Sequence, residues 1–217
     1  MDSDYILYGA RGSGSVAVEA TLELLGVGYR IADLAALSDP AVSDALAQVN
    51  PMRQLPALVL PSGELMTESA AILIWLADNH PQAGLSPPVE SPRRPAFLRW
   101  MAFVSAAIYA LFWIIDHPSR VTGDEAQQTL IKSRLEDRLA HCWAIMEAQI
   151  EPAAFLMGED ISVLDIYVTV ISRWEPGRRR FYEIAPRMGD IVRRVDADAR
   201  LATLWAVRFP FIAGKEN

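Results

Sequence analysis

One cysteine, Cys142, stands in 217 residues, which excludes an intramolecular disulfide framework, a CxxC redox pair and a thiolate zinc cluster. Histidine is scarce too: His80, His117 and His141 are scattered without metal-ligand spacing, so no metal is assigned. Acids outnumber bases 27 to 20, a net charge of −7 that disfavours general binding to a nucleic-acid phosphate backbone. The longest uncharged run, Trp100 to Ile115, falls short of the ~20 residues that cross a bilayer and reads as a buried helix. The first ten residues carry Asp2 and Asp4 and no basic region, unlike a secretory signal. These absences together suit a reducing cytoplasm. What remains is 52% apolar residues and 22% charged ones, the composition of a folded chain with a substantial core.

Charge divides the chain. Residues 1–80 hold ten acids and three bases, Arg11, Arg30 and Arg53, and carry the whole net charge. A stretch containing Pro81, Pro87, Pro88, Pro92 and Pro95 follows, and proline stiffens itself and its predecessor. The expected organisation is a first domain at 1–80, a linker at 81–92 and a second domain at 93–217. Arg93, Arg94 and the run Arg178 to Arg180 read as solvated helix faces, with Glu175 and Glu183 neutralising the second group.

The first part alternates periods. Tyr5 to Tyr8 is a short apolar run ended by Gly9; Val16 to Leu25 then repeats as a mostly buried helix stopped by Gly26, and Tyr29 to Ile31 restarts a strand. A short helix over about 40–49 ends at Asn50-Pro51, Pro61-Ser62-Gly63 separates two short strands as a hairpin, and a helix runs from Ser69 to Pro81. The predicted order is βαβαββα. Beyond the linker only helices fit, over about 93–116, 124–150, 178–195 and 198–207. Ser162-x-x-Asp165 supplies a short-armed capping box for another.

Three segments of the first part carry candidate chemistry: the loop Ala10 to Ser15, the segment Asn50 to Ala57, and Thr67-Glu68-Ser69 at a helix start. Free amides and the positive dipole end at Glu68-Ser69 favour a carboxylate, and Glu68 suits an ammonium, so an amino-acid head group fits there. A cis bond between Leu55 and Pro56 would turn the Leu55 backbone outward to pair with a peptide. Tyr109, Phe112 and Trp113 lie on the long helix after the linker, where they either wall an apolar pocket or pack in the core. Cys142, among Ala140, Trp143 and Met146, reads as core.

The element order, with Asn50-Pro51-x-x-x-Leu55-Pro56-Ala57-Leu58, Glu68-Ser69-Ala70-Ala71-Ile72 and Ser162-x-x-Asp165, resembles the cytosolic glutathione transferase family, in particular its serine-type, theta-like and zeta-like members. The resemblance implies a thioredoxin-like α/β domain followed by an all-α domain, a cytoplasmic homodimer, glutathione as co-substrate and an electrophilic small molecule as partner. It implies that Leu55 before Pro56 pairs with the cysteinyl part, that Glu68 and Ser69 hold the γ-glutamyl end, and that Gln54 reaches toward the glycine carboxylate. Five residues beyond Tyr8, Ser13 is the expected catalytic hydroxyl, with Tyr8 and Ser15 as alternatives; counting back from Gly26 lands instead on Gly12, which has no side chain. For the second substrate the expected residues are Tyr109, whose hydroxyl could protonate or orient it, and Trp113. The activity implied is transfer to an electrophile; an isomerase or peroxidase on the same site, or a non-catalytic binding or regulatory relative, are the alternatives. Arg53 departs from the family pattern, which often has glycine there.

Overall fold

The computed structural model describes residues 4–34 and 40–209; the residues at either end that entered the sequence reading, Asp2 among them, lie outside that range. The chain runs β1 (Tyr5–Gly9), α1 (Ser15–Leu25), β2 (Tyr29–Asp33), α2 (Pro40–Val49), β3 (Ala57–Val59), β4 (Leu65–Thr67) and α3 (Ser69–Asn79). This is the predicted βαβαββα order. The four strands form one mixed sheet in the order β2-β1-β3-β4, with β1 parallel to β2 and antiparallel to β3. Side chains alternate across β1: Tyr5, Leu7 and Gly9 are buried on one face, and Ile6 and Tyr8 project from the other. Gly26 closes α1 in the left-handed conformation at φ 64°, which an amino acid with a Cβ adopts only at a cost.

Among the described residues, the elements after residue 93 are helices. α4 (Arg94–Phe103) continues through a π-helical segment (Val104–Tyr109) into α5 (Ala110–Ile115). This continuous helix is long and apolar enough to cross a membrane by length and composition. Only one face is buried, through Phe97, Met101, Val104, Ile108, Phe112 and Ile115, so the expected buried helix is an amphipathic one leaning on the core. α6 (Glu125–Gln149) follows, then α7 (Val163–Ile171), α8 (Gly177–Ile184), α9 (Pro186–Asp196) and α10 (Ala202–Arg208). The single helix expected over 178–195 is two, because Pro186 lacks an N–H and disfavours helical geometry at Ala185, and the second helix restarts on it.

One apolar cluster runs through both parts, joining Leu7, Leu22, Leu58 and Ile72 to Ile108, Met146, Tyr167 and Val168. α1 is buried from Ser15 to Leu22 because it packs between the sheet, α3 and α7. Cys142 is fully buried in this core, and burial pushes its thiol pKa up, which leaves it unreactive. Two arginine readings change. Arg94 is buried, its guanidinium bidentate to Asp78 at 2.7 and 2.5 Å and bonded to the Pro87 carbonyl, which fastens α4 to the end of α3. Arg178 is buried against Asp196 with Arg173, whereas Arg179 and Arg180 are solvated. An unpaired guanidinium cannot be desolvated, so the carboxylates that the fold supplies decide which arginines go inside.

Candidate active site

The loop after β1 is folded on itself. Ser13 Oγ lies 2.9 Å from the Ala10 carbonyl and 2.7 Å from Ser15 Oγ, and it accepts from the Ser15 amide at 3.2 Å. Ser15 Oγ accepts from the Ala10 amide at 3.1 Å and lies 3.3 Å from the Ala10 carbonyl. Whichever hydroxyl of the pair donates to the other, both protons are taken up inside the loop. Helical elements hold the loop from outside: the Gly12 amide donates to the Arg208 carbonyl at 3.0 Å, and Trp174 Nε1 donates to the Gly12 carbonyl at 2.7 Å. Tyr8 projects from the sheet face opposite Gly9, the residue whose Cα abuts the Ser15 side chain, so it does not join this network.

The Leu55-Pro56 peptide is cis, as the sequence reading required of an outward-facing backbone. The turn before it is tied by Asn50, whose side chain accepts from the Met52 amide at 3.0 Å and donates to the Gln54 carbonyl at 2.8 Å. The Gln54 side chain is exposed. Arg53 has φ 53°, a left-handed conformation natural to glycine, which accounts for the family's preference there; an ion pair to Asp44 and a bond to Ser43 hold the arginine in it. Glu68 also has positive φ, 65°, and it stands exposed as the N-cap of α3. Such backbone strain in a non-glycine residue clusters at ligand sites. Ser69 is buried at the first position of α3, and its Oγ is 2.7 Å from the Tyr167 hydroxyl, which also bonds Ser105 in the π segment. Burial pushes the Tyr167 phenol up to about 12, so at neutral pH it is a protonated bridge between α3 and the long helix.

Tyr109 enters this space from the end of the π segment. Its ring packs edge-on against Trp174 at 4.8 Å and Tyr167 at 6.1 Å. Its hydroxyl accepts from the Gly14 amide and points toward the Leu55 carbonyl at 3.5 Å, the outer limit of a hydrogen bond. Burial, then Tyr167, Asp116 and Glu68, push its pKa well above the usual tyrosine range. Tyr109 thus joins the Ala10 to Ser15 loop to Leu55, whereas Trp113 stands at the surface, 48% exposed, beneath the Arg120 guanidinium. Phe112 packs into the core against Trp174. Among the described residues no group of three or more His, Cys, Asp or Glu could hold a metal ion.

The sequence model for the glutathione S-transferase N-terminal domain matches residues 15–79. An uncharacterized GST-like protein, YncG of Escherichia coli K12, is 32% identical over 191 residues, covering 87% of this chain and 91% of its own. The chain belongs to the glutathione S-transferase family. Within that family, the glutathione S-transferase GstA of Escherichia coli O157:H7 is 28% identical, over 75% of this chain and 78% of its own. The structure of a sphingomonad glutathione S-transferase complexed with glutathione superposes with a TM-score of 0.74 at 26% identity, covering 91% of this chain and 96% of that one. The fold, a thioredoxin-like α/β part followed by helices, is that of the glutathione S-transferases.

Sequence reasoning missed Gly14, Tyr167, Trp174 and Arg208 as parts of the site's frame. Tyr167 is 98 residues from the Ser69 that it bonds, and Trp174 is 162 from Gly12. Nothing local in the sequence marks either pairing.

Proposed function

We propose that this protein is a glutathione-dependent transferase that binds glutathione between the loop 10–15, the Leu55-Pro56 backbone and the start of α3, and presents its sulfur as a thiolate to an electrophilic small molecule. The observation that carries this reading is that the cis Leu55-Pro56 peptide, at the entry to β3, lies beside a strained Glu68 at the N-terminus of α3, because Ala57 pairs with Thr67 across the sheet. The first can pair with a peptide backbone, and the second offers free amides to the γ-glutamyl carboxylate and a side-chain carboxylate to its ammonium. Gln54, exposed on the same turn, is the residue we assign to the glycine end. Ser13, expected to contact the sulfur, belongs to the loop that borders it. Relatives named as glutathione S-transferases, and one solved with glutathione bound, support the choice of ligand.

Glutathione titrated calorimetrically should bind, and Glu68→Gln should weaken it about 10- to 100-fold, the effect of losing one hydrogen bond to a charged group. Wild-type protein that ignores glutathione would instead be a non-catalytic relative. Turnover is then measured with an activated aryl halide, an isomerisable unsaturated acid and an organic peroxide; transfer to the first alone assigns the reaction. We also place the protein in the cytoplasm, with residues 1–80 and 93–217 as its two domains, and read it as a homodimer. Met52, Leu65, Leu98 and Leu130 expose large apolar side chains that pairing of two copies could cover. Sedimentation at micromolar concentration should give twice the mass of 24.0 kDa, and a single chain mass would refute the dimer.

A further inference from the structure

Two facts about the sulfur site do not fit activation by Ser13. Its hydroxyl proton and that of Ser15 are both engaged within the loop, to each other and to the Ala10 carbonyl, so Ser13 could reach a ligand only by breaking that ring. Meanwhile Tyr109, half-buried, directs its O–H at the Leu55 carbonyl at 3.5 Å, the outer limit of a hydrogen bond. A bond at that length is weak, so a ligand acceptor placed nearer can take the proton from it.

Gly14 gives the second observation. Its backbone is ordinary right-handed helix, φ −62°, so no conformational demand requires glycine there. A Cβ at this position would lie 2.0 Å from the Tyr109 hydroxyl oxygen and within 3 Å of two further ring atoms. Glycine at 14 is thus what admits the phenol to the mouth of α1, between the loop and the cis peptide. The π-helical segment ends on Tyr109 itself, and such segments within α-helices frequently mark functional positions.

We infer that the Tyr109 hydroxyl, seated against Gly14 and beside Leu55, is the group that hydrogen-bonds the thiolate of bound glutathione, while Ser13 and Ser15 shape the loop. This rests on the glutathione reading above. In the free protein the O–H points at a distant carbonyl; on binding it turns to the sulfur. The thiol proton leaves to solvent and the sulfur keeps the electron pair. Attack then forms the carbon–sulfur bond as the leaving group departs with its own pair. A neutral phenol is required for this, and the groups facing it keep it neutral: Tyr167 from α7, Asp116 beyond α5 and Glu68 ahead of α3, with no cation among them.

The test is a pH titration of the thiolate ultraviolet absorbance of bound glutathione in wild type, Tyr109→Phe, Gly14→Ala and Ser13→Ala, with S-methylglutathione binding measured in parallel. Wild type should lower the thiol pKa below the free value of about 8.5. Tyr109→Phe should reduce the thiolate fraction at neutral pH by up to about ten-fold, equivalent to a pKa rise of about one unit, while S-methylglutathione affinity changes by less than about two-fold. Gly14→Ala, which displaces the hydroxyl, should act in the same direction, and Ser13→Ala should act less. An unshifted pKa in Tyr109→Phe, or a larger shift in Ser13→Ala, overturns the inference and returns activation to the serine while leaving the glutathione reading intact. Failure of wild type to bind either glutathione or S-methylglutathione overturns both.

Discussion

Arg208→Met is expected to destabilise the fold by about 3–5 kcal/mol, the cost of stranding a buried charge by removing its partner. Arg208 closes α10 with its side chain 8% exposed, and its Nε donates to both Glu19 oxygens at 3.0 and 2.8 Å while Nη1 reaches Asp33 at 2.8 Å. Glu19 lies inside α1, the helix that follows the loop 10–15, and its side chain is 10% exposed. Burial already holds its pKa above the ordinary value, and Arg208 pulls it only part of the way back. Methionine keeps the aliphatic stem and removes the charge. Glu19 then answers to burial with less opposition, and its folded pKa rises further. A carboxyl raised in the fold favours the native state below its unfolded pKa, and that support is lost as pH rises through the folded value. The gap between wild type and Arg208→Met should therefore be widest at neutral pH and narrow on acidification toward the ordinary glutamate value of 4.5. Urea unfolding at a series of pH values measures it. A gap below about 1 kcal/mol at neutral pH would mean that the cluster behaves as a surface ion pair.

Asp165→Ala should cost about 3 kcal/mol, lowering the melting temperature by roughly 10 °C in a protein of this size. Asp165 is fully buried in the first turn of α7 and accepts from the Leu156 amide at 2.7 Å, the Ser162 amide at 2.8 Å and the Ser162 hydroxyl at 2.5 Å. Alanine leaves all three donors inside the core without an acceptor. The Val163 amide next to the cap donates to the Leu85 carbonyl at 2.8 Å, so loosening this turn also loosens the segment between α3 and α4. Burial raises the Asp165 carboxyl from 3.8 to about 6, against its hydrogen bonds. Because the shift is upward, this group lowers stability as pH rises from about 4 to about 6. Asp165→Asn, which cannot ionise, should lack that component of the pH slope. Calorimetric melting of the three proteins over that range tests both points. Loss of less than about 1 kcal/mol in Asp165→Ala would mean that water replaces the carboxylate, contrary to its burial.

The capping box also shows how far local pattern reaches. Ser162-x-x-Asp165 is legible because both partners lie within one helical turn, yet the third donor, Leu156, comes from a loop nine residues earlier that no spacing rule includes. The hairpin at Pro61-Ser62-Gly63 and the end of α1 at Gly26 were legible for the same reason, since each is fixed by the conformational limits of one or two residues. Pro186 was equally available, but the apolar period continues through it, and periodicity carried the reading where the missing N–H decided the outcome.

At the site the division is sharper. Leu55-Pro56, Glu68 and Ser69 are adjacent in sequence to the turns that shape them, so their position at a strand entry and a helix start followed from composition and spacing. The choice among hydroxyls did not follow. Ser13, Ser15, Tyr8 and Tyr109 are equivalent on paper as O–H donors. Their difference lies in which protons are already engaged and which side chain the packing of the helices pushes against Gly14. Arg94, Arg178 and Arg208 make the same point, because a guanidinium is buried or solvated according to whether a distant carboxylate arrives beside it. The sequence by itself determined the order of elements and their local stops, which rest on interactions between near neighbours along the chain. Only the tertiary structure decided which charges enter the core and which hydroxyls are engaged within the loop 10–15, since those depend on groups up to 189 residues apart brought within hydrogen-bond distance.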